Sequence, residues 1–270
     1  MSGELGPVIE LAGDNAGRIR AFLEILTALP RNPPWVLVGG FAVNIRIQRL
    51  HRLTNDIDTI SANQTQFVEL LLADPTSDRI SPGKIWFGAE PRVEVDVMSS
   101  TEGDPLPESP SDRAFALVRR QAMATAEDVK VKLIDSTATT TSTARIPVAT
   151  PASLLMLKAV ALPRRSSGSY PEKVGSDTHD LVALVLDGDI PDLVRQIAAA
   201  DSELARWVGD ILVRRFTPEA DLRYSVARMR AYAQGVGVGV VGPDELALLG
   251  EVGAGVVARL NSAKGANGDG

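Results

Sequence analysis

WVLVGGFAVNIRIQRLHRLTNDIDTI, residues 35–60, joins an apolar run (Val36-Leu37-Val38) to a glycine pair (Gly39-Gly40). An amphipathic segment follows, then Arg52, Thr54 and the pair Asp56-Ile57-Asp58. The run reads as a short buried strand, Trp35–Val38. Residues 41–50 read as a helix with Phe41, Ala42, Ile45 and Leu50 inward and Arg46 and Arg49 outward. Residues 56–60 read as a second strand, whose period of two puts Asp56 and Asp58 on one face, their Cα atoms about 6–7 Å apart. Small residues at a strand-to-helix turn let backbone N–H groups approach a phosphate. Paired carboxylates supply the hard oxygen ligands that Mg²⁺ prefers. These are the parts needed to hold a nucleoside triphosphate and its metal.

A third carboxylate is expected on a neighbouring strand. Residues 92–98 alternate strictly, with Val93, Val95 and Val97 on one face and Arg92, Glu94, Asp96 and Met98 on the other. Asp96 is the expected third acid and Glu94 its competitor. Acids sharing a strand face must be solvated, paired or metal-bound, because an unpaired buried charge is very unfavourable. Arg92 offers an ordinary cross-strand partner.

The chain has 270 residues, 44% hydrophobic and 23% charged, which is the composition of a globular protein with length for one large domain or two small ones. A net charge of -6 excludes a uniformly basic nucleic-acid-binding surface, though not a local basic patch. The absence of cysteine excludes disulfides, thiolate metal sites and a cysteine nucleophile, and two histidines make a histidine-rich zinc site a poor reading. The segment MSGELGPVIE lacks the basic-then-apolar order of a signal peptide. No apolar stretch approaches the roughly 20 residues that span a bilayer. A cytoplasmic protein is expected.

Further helices are expected over 14–29, with Asp14 or Asn15 as cap, and over 65–72; strands over 84–87, 129–134 and 145–148. The tract STATTTST, 136–143, reads as a turn or exposed hairpin tip, and the Gly-Val run 235–242 as a loop. After Thr150-Pro151 the pattern turns helical, over 152–162, 177–186, 190–199, 202–215, 218–233 and 243–261. The expected fold class is α/β (α+β). A core domain, 1–150, carries a mixed β-sheet flanked by helices. A helical domain, 151–262, and a disordered tail, 263–270, follow it.

With these residues in view, the chain resembles the minimal nucleotidyltransferase superfamily, and within it the AbiEii/MenA-type toxins of bacterial toxin–antitoxin pairs. Gly39-Gly40, Arg52-x-Thr54-x-Asp56-x-Asp58 and Val95-Asp96-Val97 carry the likeness, with Lys158 in Thr150–Lys158 and Asp180 in Asp177–Leu181. It covers roughly residues 35–190. The resemblance implies the nucleotidyltransferase fold, with Asp56, Asp58 and Asp96 as catalytic ligands of one or two Mg²⁺ ions. It implies that Gly39, Gly40, Arg52 and Thr54 bind the NTP, that Lys158 contacts its phosphates, and that Asp180 positions Lys158 or assists catalysis. It also implies transfer of nucleotides to RNA, most of all the 3′ acceptor end of tRNA, and a cognate antitoxin as partner. Gly40 departs from the serine that many members carry there.

The residues themselves leave other readings of Lys158 and Asp180 open. Lys158 lies among Leu154, Leu155, Ala161 and Leu162 on a helix face, where its stem can snorkel to water. Asp180 reads equally as a first-turn acid favoured by a helix dipole. Arg206, Arg214, Arg215, Arg223, Arg228 and Arg230 form a basic helical set suited to an RNA backbone or to plain solvation. Nucleotidyl transfer to a small molecule such as an aminoglycoside, or to a protein, is the alternative enzyme. A catalytically silent nucleotide-binding module is the alternative outside catalysis.

Overall fold

The computed structural model describes residues 7–12, 17–88, 92–134, 139–166, 171–236 and 241–266. The chain divides into two compact units. The first comprises Met1–Asp104 and Ala122–Thr150, the second Pro105–Gln121 and Pro151–Gly270.

The first unit is built on a mixed sheet of eight strands. In chain order they are β1 (Val8–Ala12), β2 (Trp35–Val38), β3 (Asp56–Ser61), β4 (Asp78–Ser81), β5 (Lys84–Phe87), β6 (Val93–Ser99), β7 (Glu127–Ile134) and β8 (Thr140–Val148). Their order across the sheet is β1-β7-β8-β2-β3-β6-β5-β4. Its helices are α1 (Arg18–Ala28), α2 (Gly39–Arg46) and α3 (Gln64–Leu72). β2 lies at the centre, antiparallel to β3 and parallel to β8, and all four of its residues are buried, as a strand covered on both faces requires. β3 and β6 run parallel, and their inward residues Ile57, Val95 and Val97 are fully buried. The acids between them stay half-exposed on the opposite face. α3 opens on Asn63, whose side chain accepts from the Gln66 N–H.

The second unit is helical: α4 (Pro110–Ala124, of which residues 110–121 belong here), α5 (Pro151–Ser166), α6 (Pro171–Leu186), α7 (Ile190–Ala198), α8 (Ser202–Phe216), α9 (Glu219–Val236) and α10 (Pro243–Ala266). α4, α5, α6 and α10 each open on proline, whose fixed φ suits the first turn and whose missing N–H has no partner to lose there. Asp189 and Asp201 cap α7 and α8 through their side chains. The α8–α10 pair buries Leu204, Val208 and Leu212 with Leu246, Leu249, Val252 and Val256 at helical spacing.

Several sequence expectations shift. The helix after the glycine pair ends at Arg46 instead of Leu50, and Arg46 turns inward. Its side chain is only 6% exposed, because it donates to the Val148 and Ala149 carbonyls and pairs with Glu127 at 2.8 Å. α6 starts at Pro171, so Asp180 stands well inside a helix rather than in a first turn. Helix α10 runs to Ala266, so helix replaces part of the expected tail; residues 267–270 lie outside the described residues. β1, β4 and α4 were not expected. β1 is an edge strand held by parallel pairing with β7. The expected caps Asp14 and Asn15 also lie outside the described residues, and Gly17 with φ 81° occupies the N-cap of α1. Of STATTTST and the Gly-Val run, residues 136–138 and 237–240 fall outside as well.

Candidate functional site

The register of β3 against β6 organises the carboxylates. Asp56 stands opposite Glu94, and Asp58 opposite Asp96. Side chains at alternate positions share a face, so four acids converge on one face of two adjacent strands. β5 adds a cation: Lys84 is the register partner of Asp96, and its Nζ lies 2.5 Å from Glu94 Oε1 and 3.4 Å from Asp96 Oδ2. Partial burial pushes the Asp96 carboxyl above the usual range, Lys84 opposes this, and the charges of Glu94 and Asp56 add to it. Lys84 itself is raised, chiefly by its hydrogen bond to Glu94. Sequence reasoning missed Lys84 as a member of this group. It offered Arg92 instead, which pairs with Asp78. The available signal was a lysine opening the strand that immediately precedes the acids of β6.

The glycine pair fits against two of these side chains. Gly39 has φ 72°, in the left-handed region that glycine tolerates. A Cβ there would overlap Asp58 Oδ2, so the missing side chain is the space in which the Asp58 carboxylate sits. A Cβ on Gly40 would meet the Arg52 guanidinium. At Gly40 an arginine side chain is thus packed over a bare backbone. Thr54 is buried and its hydroxyl donates to Asp56 Oδ1 at 2.8 Å, which fixes the orientation of that carboxylate. Arg52 donates to the Leu53 carbonyl at 3.2 Å, and its own carbonyl accepts from Asn44 at 3.0 Å. Gly39, Gly40, Arg52, Thr54, Asp56, Asp58 and Asp96 are therefore all gathered in the first unit, around the start of α2 and the face of β3 and β6.

Lys158 and Asp180 belong to the helical unit and meet there. Lys158 Nζ lies 2.8 Å from Asp180 Oδ2 and 2.8 Å from Asp177 Oδ1. Both carboxylates have no exposed surface, and the lysine side chain is 11% exposed. Arg165 pairs with the other oxygen of Asp177. Lys158 thus meets two buried carboxylates, one of them shared with the partly exposed Arg165, so it does not simply snorkel to water. Asp177 escaped the sequence reading as a functional candidate. Its i, i+3 spacing from Asp180 on α6 was the signal, since such pairs share a helix face.

No protein-family model matches this chain, and no curated protein matches it. Among solved structures, JHP933 from Helicobacter pylori is similar at 12% sequence identity and a TM-score of 0.45, over 93% of this chain and 94% of that one. A candidate nucleotidyltransferase of H. pylori is similar at 11% identity and a TM-score of 0.45, over 92% of this chain and 95% of that one. Likeness at this level leaves the assignment to the geometry.

Proposed function

We propose that this chain is a metal-dependent nucleotidyltransferase that uses an NTP. The observation that carries the reading is the placement of Asp58 directly opposite Asp96 on parallel strands, with Asp56 on the same face and a glycine turn beside Asp58. Asp56, Asp58 and Asp96 would hold Mg²⁺. Their donor set is all hard oxygen; burial raises the Asp96 carboxyl, with smaller contributions from the charges of Glu94 and Asp56, and a bound cation offsets both. When bound, Mg²⁺ supplies charge neutralisation on the triphosphate and activation of the attacking oxygen. The N–H groups at the start of α2 and the Arg52 guanidinium receive the phosphates. The acceptor hydroxyl gives up its proton to solvent as its oxygen bonds the α-phosphorus, the bond from the α-phosphorus to the oxygen that bridges to the β-phosphorus breaks, and pyrophosphate leaves with that oxygen. Asp177 and Asp180 hold the Lys158 ammonium in one place, and the resemblance assigns that ammonium to the phosphates of the NTP.

The acceptor and the cellular role rest on the resemblance. By it the acceptor is RNA, with the 3′ end of tRNA favoured, and the outcome is growth arrest relieved by an antitoxin. The arginines of α8 and α9 suit an RNA backbone. The test is incubation of the purified protein with Mg²⁺, each of the four NTPs labelled in the α-phosphate, and total bacterial RNA, beside an Asp56→Ala/Asp58→Ala control. Label in a tRNA-sized band that the control lacks supports the full reading. Label in protein or a small molecule removes the RNA acceptor and keeps the transfer. No label in any fraction overturns the proposal.

A further inference from the structure

The helical unit holds a cavity of about 430 Å³ to which the proposed transfer chemistry assigns no step. Its volume falls within the roughly 300–1,000 Å³ typical of small-molecule sites. Leu162 and Pro163 of α5 and Trp207 and Ile211 of α8 give it apolar and aromatic walls, and Arg214 and Arg215 give it positive charge. Two of these side chains carry unmet hydrogen-bond donors. The Nε and Nη2 of Arg215 and the indole Nε1 of Trp207 are buried and have no partner among the described residues. Arg215 lies over the Tyr224 ring at 4.7 Å, and makes no ion pair among the described residues. A guanidinium with buried, unsatisfied donors is costly to a fold unless something accepts from it. Tyr224 also carries Arg228, whose Cζ lies 5.1 Å from the ring centre and whose Nε donates to the Tyr224 hydroxyl at 3.1 Å. The aromatic platform thus fixes Arg215 in place without meeting its donors. Asp221 lines the same cavity and offers an acceptor for an amine or hydroxyl.

We propose that this cavity binds a nucleotide, its base against the Trp207, Pro163 and Ile211 wall and its phosphate on Arg215. An anion alone would match Arg215 and leave the apolar wall bare. An apolar ligand alone would leave the guanidinium unmet. A planar heteroaromatic ring that carries a phosphate satisfies both, and stacking on aromatic side chains is how single-stranded bases are held without sequence preference. The choice of a nucleotide over other planar anions rests on the nucleotidyltransferase reading. The nucleotide is either free or one residue of the acceptor strand, and the experiment separates these sources.

The full chain is titrated in EDTA, without NTP, with AMP by calorimetry and with a short fluorescein-labelled single-stranded RNA by anisotropy. Arg215→Met is expected to weaken binding about ten-fold or more, the loss of one charge-assisted contact. Ser166→Trp, a substitution at an exposed residue on the cavity rim, is expected to block binding with the unfolding temperature unchanged. RNA binding that AMP competes away identifies the strand as the source, and binding of AMP alone identifies the free nucleotide. Absence of binding by both probes, or equal binding by wild type and both variants, overturns the proposal. Label transfer by wild type without pocket-dependent binding removes the cavity and leaves the function standing. Pocket-dependent binding without label transfer removes the function and leaves the cavity.

Discussion

Asp58 on β3 and Asp96 on β6 are register partners in a parallel strand pair, and the Asp58 carboxylate rests in the space that Gly39 leaves by having no side chain. One residue thus ties the glycine turn to the acidic face. Asp58→Ala should lower nucleotidyl transfer by about 100-fold or more, since even outer partners of metal sites are worth 10–100-fold. Its unfolding free energy should be unchanged or higher, because a repelling charge leaves the cluster. Transfer rate and urea unfolding on the same preparation check both halves.

The two glycines should fail differently. Gly39→Ala forces a side chain into a left-handed conformation, at about 1–2 kcal/mol, and displaces the Asp58 carboxylate as well. Gly40→Ser meets the end of a flexible side chain, Arg52, so its stability cost should stay within about 1 kcal/mol. Activity should nonetheless fall in Gly40→Ser, with a raised KM for NTP, because Arg52 must move. Loss of stability in Gly40→Ser as large as in Gly39→Ala would contradict this packing.

Lys84 sets the charge of the acidic face in the metal-free protein. Lys84→Met should lower stability in EDTA, where Glu94 and Asp96 lose their cation, and raise the affinity for Mg²⁺, where repulsion favours the ion. Thermal unfolding with and without Mg²⁺ reads both. The stabilisation by Mg²⁺ should be larger in the variant than in wild type.

Lys158→Met removes the ammonium from two carboxylates that have no exposed surface, and should destabilise by about 3–5 kcal/mol. Adding Asp180→Asn to it should restore part of the loss, because the pair acts as a unit. A loss in the double variant equal to the sum of the two single losses would show that Lys158 and Asp180 do not interact.

Local pattern made part of this molecule readable. β2, β3 and β6 show in the sequence because a four-residue apolar run and strict alternation each have one simple reading, and Asp56, Asp58 and Asp96 came with them. What decides their use is the pairing of β3 with β6, a long-range register that no local pattern encodes. The same holds for Lys84, which matters only because β5 lies beside β6. Arg46 was misread as outward because the i, i+3 spacing of α2 ignores the carbonyls at the end of β8, which take up its guanidinium. α4 is not marked by any single local signal, although its first residue, Pro110, is of a type that opens helices. Asp177 was hidden because its partner lies on another helix.

Binding of Mn²⁺ in the presence of a non-hydrolysable NTP analogue, followed by electron paramagnetic resonance, tests the central claim most directly. Wild type should bind the ion and broaden its signal. Asp58→Asn and Asp96→Asn should each weaken that binding about ten-fold or more. Undiminished Mn²⁺ binding in both variants would contradict the assignment of Asp58 and Asp96 as the metal-holding pair.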